Sequence, residues 1–176
     1  MKQLGPTDLK RLHREWQRRT DQRLAVVVDG VQSPFNMGAI VRSAAAFRVE
    51  HLYLGGGAVS PGHPRVGKTA MGTERYLTWS DHRSGVAAVE HARQDGFVVI
   101  GLELVAGAIP LHLLALPPED GICLAVGHED HGVSRSALDA CSAVAFIPQL
   151  GRVGSLNVAT AAAIALYELR RRAWEK

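Results

Sequence analysis

A serine and an asparagine two residues apart stand between a predicted strand and the last predicted helix. The stretch reads Ile147-Pro-Gln-Leu-Gly-Arg-Val-Gly-Ser155-Leu-Asn157. Its proline and glycines predict a loop that ends at the helix, which we expect to run from Ser155 to Trp174. In α/β proteins, ligands bind where the carboxyl end of a strand faces the amino end of a helix. Ser155 and Asn157 are therefore candidate active-site residues, although both side chains also suit a simple helix cap.

A second candidate pair belongs to an early helix, predicted from Met37 to Phe47. Asn36 can cap this helix while its side chain faces the edge of the sheet. Arg42 follows less than two turns later, among small and apolar neighbours. An arginine in a helix often reaches solvent or pairs with a carboxylate, so this helix alone does not establish a site.

One segment matches the phosphate-loop pattern G-x-x-x-x-G-K-[ST], namely Gly62 to Thr69. That pattern works only where a strand leads directly into the loop and a helix follows it. Here the preceding strand is predicted to end near Leu54, and Pro64 removes one of the backbone N–H donors that such a loop needs. We expect a chance match, and a phosphate-loop nucleotide-binding enzyme remains the alternative function.

The segment His128-Glu129-Asp130-His131 combines residue types that bind metals. Its histidines are three residues apart, whereas a helical zinc site places them four apart. Gly127 and Gly132 flank the segment and indicate a tight loop after a strand. We expect a polar or ligand-wrapping loop here and no metal site.

The elements that must position these residues alternate between apolar strands and helices. Segments such as Leu24 to Asp29 and Ile122 to Val126 are continuously apolar, which is typical of strands buried on both faces. The pattern predicts an α/β fold with a mostly parallel sheet covered by helices on both faces. Five residues then lie at or just beyond the carboxyl ends of strands: Asn36, Leu102, Gly127, Ile147 and Ser155.

The two ends of the chain are basic, within a formal net charge of +3. Thr7 can cap a first helix with Leu9, Leu12 and Trp16 on one side, so we divide the chain into a basic helical extension (1–23) and a main domain (24–176). Clustered cations favour a polyanionic partner, nucleic acid before membrane. Two solvated helix faces would explain the charge equally well. The basic residues are Lys2, Lys10, Arg11, Arg14, Arg18, Arg19 and Arg23 at one end and Arg170, Arg171, Arg172 and Lys176 at the other.

The two cysteines, Cys123 and Cys141, are predicted to be free thiols in buried or helical segments. No apolar run is long enough to cross a bilayer, and the first residues lack the apolar core of a signal peptide. We therefore expect a cytoplasmic protein that does not bind membranes.

Three blocks, in this order, resemble the SpoU branch of the SPOUT RNA methyltransferases. The resemblance covers roughly Leu24 to Glu168. Its motifs are Asn36-x-Gly38-x-Ile40-x-Arg42, then Gly127-x-Glu129-x-x-Gly132-Val133-Ser134, then Ile147-Pro148 through Ser155-Leu156-Asn157-Val158.

This resemblance implies methyl transfer from S-adenosylmethionine to a ribose 2′-hydroxyl of tRNA or rRNA, by a homodimer that does not act on DNA. It also implies a trefoil knot in the carboxyl-terminal part of the sheet. A catalytically silent RNA-binding paralogue is a further alternative. The implied cofactor-binding residues are Leu102, Gly127, Ile147 and Leu156, and the implied catalytic residues are Asn36, Arg42, Glu129, Ser155 and Asn157.

Arg42 is a poor general base, because a guanidinium group has a pKa above ~12. We expect it to hold a phosphate or the developing alkoxide, and we expect Glu129 to order its loop or pair with an arginine. The chain departs from the family pattern at His128, Arg48 and Gly154. The last helix has a smooth face that suits either a dimer seam or packing on its own sheet, formed by Ala161, Ala162, Ala165 and Leu169.

Overall fold

Seven strands form one sheet in the computed structural model, which describes residues 3–117 and 121–175. The order is β3-β2-β1-β6-β4-β7-β5, and every pairing is parallel. This confirms the predicted parallel sheet. The strands are β1 (Leu24–Asp29), β2 (His51–Gly55), β3 (Thr78–Asp81), β4 (Phe97–Leu102), β5 (Ile109–Pro110), β6 (Gly121–Gly127) and β7 (Ala143–Phe146).

Helices cover both faces of this sheet, also as predicted. Successive side chains of a strand point to opposite faces. Val26 and Val28 of β1 pack into one cluster with α2 and α6, whereas Ala25 and Val27 pack into the other with α4 and α5. Short 3-10 helices span Thr73–Tyr76 and Leu111–Leu113. The α-helices are α1 (Pro6–Gln17), α2 (Pro34–Ala46), α3 (Pro64–Ala70), α4 (Gly85–Gln94), α5 (Arg135–Ala140) and α6 (Val158–Trp174).

Three helices begin at other residues than predicted. Ser33 caps α2 by accepting a hydrogen bond from the backbone N–H of Asn36, so the prediction of Asn36 as the cap was wrong. Pro34 occupies the first helical position, where proline has no N–H to lose. Helix α6 begins at Val158, which leaves Ser155 in the preceding loop. Helix α1 follows Gly5 and includes the predicted cap Thr7.

The phosphate-loop match at Gly62 to Thr69 lacks the required geometry. Strand β2 ends at Gly55, and the chain is in a turn at Pro61 and Gly62. No strand therefore leads directly into the segment. Gly67 and Lys68 lie inside α3, which His63 caps, instead of in a loop before a helix. Their backbone N–H groups therefore cannot converge on a phosphate. Most of the segment belongs to α3, a helix of seven residues.

The smooth face of α6 packs within the chain. Ala162, Ala165 and Leu169 are buried against the chain's own sheet, so of the two alternatives intrachain packing is the observed one. Ile164 and Tyr167, on the other side of α6, are exposed. Over the residues described, no helix has both the length and the apolar character needed to cross a membrane.

Helix α1 lies outside the core and buries none of its residues. The ring of Trp16 contacts that of Trp174 on α6 edge to face, with centroids 5.2 Å apart. At the end of α1, the guanidinium of Arg48 donates to the carbonyl of Gln17 at 3.1 Å. Only a few contacts therefore hold α1 on the domain.

Glu168 joins the end of α6 to the segment after β5. It accepts hydrogen bonds from Arg171 and Arg172, each at 2.8 Å, and Arg172 also donates to the carbonyls of Leu111 and Leu114. The bond from Arg171, followed by that from Arg172, outweighs partial burial and lowers the pKa of Glu168 to about 2.

We expect Glu168→Gln to lower the free energy of unfolding by about 1–3 kcal/mol at pH 7. Because the folded pKa lies below the usual value of 4.5, these ion pairs stabilise the fold above that pH. Their contribution disappears as the pH falls towards 2. Urea unfolding of both proteins between pH 7 and pH 2.5 measures the difference. If the difference in free energy of unfolding between the two proteins stayed constant over this pH range, the ion-pair explanation would be wrong.

Candidate active site

A pocket of about 350 Å³ opens at the carboxyl ends of β4, β6 and β7. Parallel strands place their carboxyl ends at one edge of a sheet, which is where such folds bind ligands. Loops after β6 and β7 form the remaining walls. All four residues predicted to bind the cofactor line the pocket, namely Leu102, Gly127, Ile147 and Leu156.

A chain of hydrogen bonds connects three of the predicted catalytic residues beside this pocket. The side-chain amide of Asn36 donates from Nδ2 to Glu129 Oε1 at 2.9 Å. The amide of Asn157 donates from Nδ2 to Asn36 Oδ1 at 3.0 Å. Asn36 is buried, whereas Glu129 lines the pocket. The loop after β6 is thereby tied to the first turns of both α2 and α6.

Glu129 also accepts hydrogen bonds from the backbone N–H groups of Ser33 at 3.1 Å and Gln32 at 3.4 Å. Partial burial acts to raise the pKa of Glu129. The hydrogen bond from Asn36 and those from backbone N–H groups outweigh it, and the net pKa lies below its usual value. A carboxylate with a lowered pKa is a weak general base. The hydrogen bonds of Glu129 join its loop to Gln32, Ser33 and Asn36, so its side-chain partner is an asparagine and not an arginine.

Asn157 caps α6 and also connects this helix to Asn36 of α2. Its Oδ1 accepts hydrogen bonds from the backbone N–H groups of Ala159 at 3.0 Å and Thr160 at 3.2 Å. Its Nδ2 remains free for Asn36. Ser155 lines the pocket two residues earlier. The helix-cap interpretation is thus correct for Asn157, and the same side chain belongs to the hydrogen-bonded chain beside the pocket.

Arg42 does not line this pocket. It lies six residues after Asn36 on α2, which corresponds to about 9 Å along the helix axis and about 120° around it. Its side chain is exposed and faces a groove between α1, α2 and α6. The structure therefore brings Glu129, Asn36, Asn157 and Ser155 together and places Arg42 at a separate surface of the same helix.

Glu103, which directly follows β4, was not among the predicted site residues. Its Oε2 accepts from the backbone N–H of Val133 and its Oε1 from that of Leu104, both at 3.0 Å. Gly132 adopts a φ of +67°, and a β carbon at that position would overlap the Glu103 carboxylate. Glu103 thus ties the end of β4 to the loop after β6. Its position one residue after Leu102, at a strand end, was the available signal.

Two further pocket residues, Gln149 and His128, were also not predicted as ligands. Oε1 of Gln149 is buried and has no hydrogen-bond partner among the residues described. Buried polar atoms are normally paired, and this oxygen is one of two exceptions among the residues described. The His128 ring stacks on that of His131 with centroids 4.9 Å apart. Within residues 3–117 and 121–175, no three His, Cys, Asp or Glu side chains are arranged to hold a metal ion.

A comparison with protein families matches residues 23–167 to the model of the SpoU rRNA Methylase family. The chain is 31% identical over 148 residues to 23S rRNA (guanosine(2553)-2′-O)-methyltransferase RlmP of Bacillus subtilis, covering 84% of this chain and 58% of that protein. It is 29% identical over 170 residues to tRNA (guanosine(18)-2′-O)-methyltransferase of Escherichia coli, covering 96% of this chain and 71% of that protein. Thus the chain spans less than two thirds of the Bacillus protein.

Solved structures share the fold described above. An AdoMet-bound rRNA methyltransferase from Sinorhizobium meliloti superposes with a TM-score of 0.78 at 28% identity, over 85% of this chain and 56% of that one. An RNA methyltransferase of the TrmH family from Porphyromonas gingivalis, described as putative, superposes with a TM-score of 0.75 at 32% identity. The match covers 86% of this chain and 60% of that one. With most of its length matched by the family model and its pocket residues at the motif positions, the chain belongs to the SpoU rRNA Methylase family.

Proposed function

We propose that this chain transfers a methyl group from S-adenosylmethionine to a ribose 2′-hydroxyl of tRNA or rRNA. One observation carries the proposal. The four residues predicted to bind the cofactor come from three strand ends and the loop before α6, and they line a single pocket together with Glu129 and Ser155. Relatives named as rRNA and tRNA 2′-O-methyltransferases match the same part of the chain.

The residues of the pocket fit this cofactor. Leu102 and Leu156 offer apolar walls for an adenine ring, and Gly127 lines the pocket at the end of β6. Gln149 also lines the pocket, and its side-chain amide can hydrogen-bond a polar group of the cofactor. When bound, S-adenosylmethionine supplies a methyl group already activated by its sulfonium. The protein then has to align the ribose and let a proton leave.

Each polar residue has a part in this reaction. Ser155 is placed to bind the ribose at the mouth of the pocket, and Asn36 and Asn157 hold Glu129 and its loop in position. Glu129 keeps its loop closed and does not take the proton. In the transfer, the 2′ oxygen would bond to the methyl carbon as that carbon's bond to the sulfonium sulfur breaks and leaves a neutral thioether, and the hydroxyl proton would pass to a phosphate oxygen or to water. Arg42 holds the phosphate next to the target ribose, a task that suits an exposed, permanently charged guanidinium.

We further propose that the molecule works as a homodimer. Ile164 and Tyr167 leave an apolar surface on α6 that one chain does not cover, and apolar helix surfaces favour association. Sedimentation of the full chain tests this proposal, which a monomer at working concentration would contradict. The trefoil knot, the separate extension at 1–23 and the cytoplasmic location remain predictions from the sequence.

Calorimetric titration with S-adenosylmethionine and with ATP tests the main proposal. We expect the first to bind with a Kd in the micromolar range, and we expect no heat of binding from ATP because Gly67 and Lys68 lie within α3. Mapping of 2′-O-methyl groups in RNA from a deletion strain should show one missing modification. Binding of S-adenosylmethionine without a lost modification would instead support the silent paralogue, and binding of ATP alone would support the phosphate-loop enzyme.

A further inference from the structure

A buried arginine that lacks a carboxylate partner lies at the end of α6. Arg170 is only 4% exposed. Its guanidinium donates to the backbone carbonyls of Phe47 at 2.7 Å, Gln22 at 2.6 Å and Arg48 at 2.8 Å. Among the ion pairs of the described residues, none involves Arg170. Burial, and then the nearby charge of Arg48, lower its pKa to about 10, so the group keeps its charge at neutral pH.

Arg170 lines a groove between α1, α2, α6 and the 3-10 helix Thr73–Tyr76. The groove has a volume of about 660 Å³. Arg42, Arg48 and His13 line it together with Arg170, and none of its lining residues is acidic. Buried or crowded positive charge is normally balanced by anions. The groove therefore has the charge expected of a site for a polyanion.

Aromatic rings line the same groove. Trp16 is 40% exposed and Tyr76 is 65% exposed, each with one arginine stacked on it. Arg19 lies 4.1 Å from the ring centroid of Trp16, and Arg75 lies 4.9 Å from that of Tyr76. Exposed rings interleaved with arginines bind unpaired nucleotides, because bases stack on the rings while phosphates contact the cations. Double-stranded nucleic acid has no free base faces for such stacking.

We propose that this groove docks a single-stranded segment of the RNA substrate. Unpaired bases stack on Trp16 and Tyr76, and phosphates contact Arg42 and Arg48. This inference rests on the proposed methyltransferase function and extends it, since it specifies an unpaired stretch next to the target nucleotide.

The groove and the cofactor pocket are connected through α2. The amino end of this helix carries Asn36 beside the pocket, and its carboxyl half, from Arg42 to Ala46, lines the groove. The two positions are about 9 Å apart along the helix axis. Asn36 and Arg42 also differ by about 120° around the axis, so a strand in the groove has to pass around α2 to present its neighbouring ribose to the pocket.

Fluorescence anisotropy with a labelled ten-residue oligouridylate tests the groove on the full chain. We expect Trp16→Ala to weaken binding roughly 10-fold, the typical effect of losing one base–aromatic stack. Leu9→Ala is the matched control, because Leu9 lies on the same helix, is also 40% exposed and does not line the groove. Its Kd should equal that of the wild type. Tyr76→Ala, on a different element, should weaken binding to a similar degree.

Three outcomes would overturn the docking site. In the first, Trp16→Ala and Tyr76→Ala both bind oligouridylate like the wild type. In the second, Trp16→Ala weakens the binding of an RNA duplex of the same length as much as it weakens the binding of the single strand. In the third, Trp16→Ala dissociates a dimer during sedimentation and keeps its RNA affinity, which would make the groove an interface between two copies. Circular dichroism of each variant ensures that the compared proteins are folded.

A separate measurement distinguishes this proposal from the proposed function. Trp16→Ala should bind S-adenosylmethionine like the wild type, since Trp16 lies outside the pocket. If the wild type binds oligouridylate through the groove but transfers no methyl group to any RNA, the proposed function is wrong and the groove is still an RNA-binding site. If the wild type methylates RNA but the variants bind normally, only the groove is wrong.

Discussion

Replacement of Arg42 by alanine is expected to lower methyl transfer to RNA by at least roughly 100-fold, the typical loss when one charge-stabilising donor is removed. The Kd for S-adenosylmethionine should stay the same, because Arg42 does not line the cofactor pocket. An exposed guanidinium on α2 is placed to hold a phosphate and so to fix the ribose beside it. Single-turnover assays at saturating cofactor, combined with calorimetric titration, separate these two quantities.

Two companion variants sharpen this experiment. Arg42→Lys keeps the charge but loses the planar pair of donors, so a phosphate clamp should retain part of its activity. Arg83→Ala removes another exposed arginine, in the turn after the edge strand β3, and lies outside both the pocket and the groove. It should transfer methyl groups at the wild-type rate. Near-normal turnover by Arg42→Ala would contradict the role of Arg42, and loss of cofactor binding would show that the substitution acts on the pocket.

The strand ends could be predicted from the sequence because their signals are local. Continuous apolar runs such as Leu24 to Asp29 predict buried parallel strands, and the residues that follow them necessarily reach one edge of the sheet. Leu102, Gly127 and Ile147 were placed on this ground and do line the pocket. The family motifs then added Leu156, whose position no strand end marks.

Contacts between distant segments could not be predicted in this way. Asn36 and Glu129 meet because β6 lies directly beside β1, and the pattern of apolar residues contains no information on that neighbour. The smooth face of α6 is a similar case. Periodicity shows that Ala162 and Ala165 face apolar surroundings, but it does not show whether these belong to the chain's own sheet or to a second copy. The cap of α2 is different. The pair Ser33 and Pro34 is a local start signal, so this cap could have been predicted from the sequence in place of Asn36.

The other large effect is expected at Gly127, the last residue of β6. A β carbon at this position would overlap the backbone of Gly132 and Val133, which closes the loop over the pocket. The close approach is held by the paired hydrogen bonds between His128 and Gly132, both at 2.9 Å. We expect Gly127→Ala to weaken binding of S-adenosylmethionine by at least roughly 100-fold, because the loop must move outward and takes Glu129 with it. Calorimetric titration measures the loss.

Gly151→Ala separates this packing effect from a general cost of replacing glycine near the site. Gly151 lies in the loop before α6, and a β carbon there has no neighbour within 4 Å. Its φ is outside the left-handed region, so alanine should leave binding unchanged and stabilise the fold by a few tenths of a kcal/mol to about 1 kcal/mol. Gly127→Ala should instead lower the free energy of unfolding by about 1–3 kcal/mol. If a folded Gly127→Ala protein bound the cofactor as tightly as Gly151→Ala, the contact between β6 and its loop would not shape the pocket. In that case the hydrogen bond that Glu103 accepts from Val133 and those that Glu129 accepts from Ser33 and Asn36 would have to hold the loop in place.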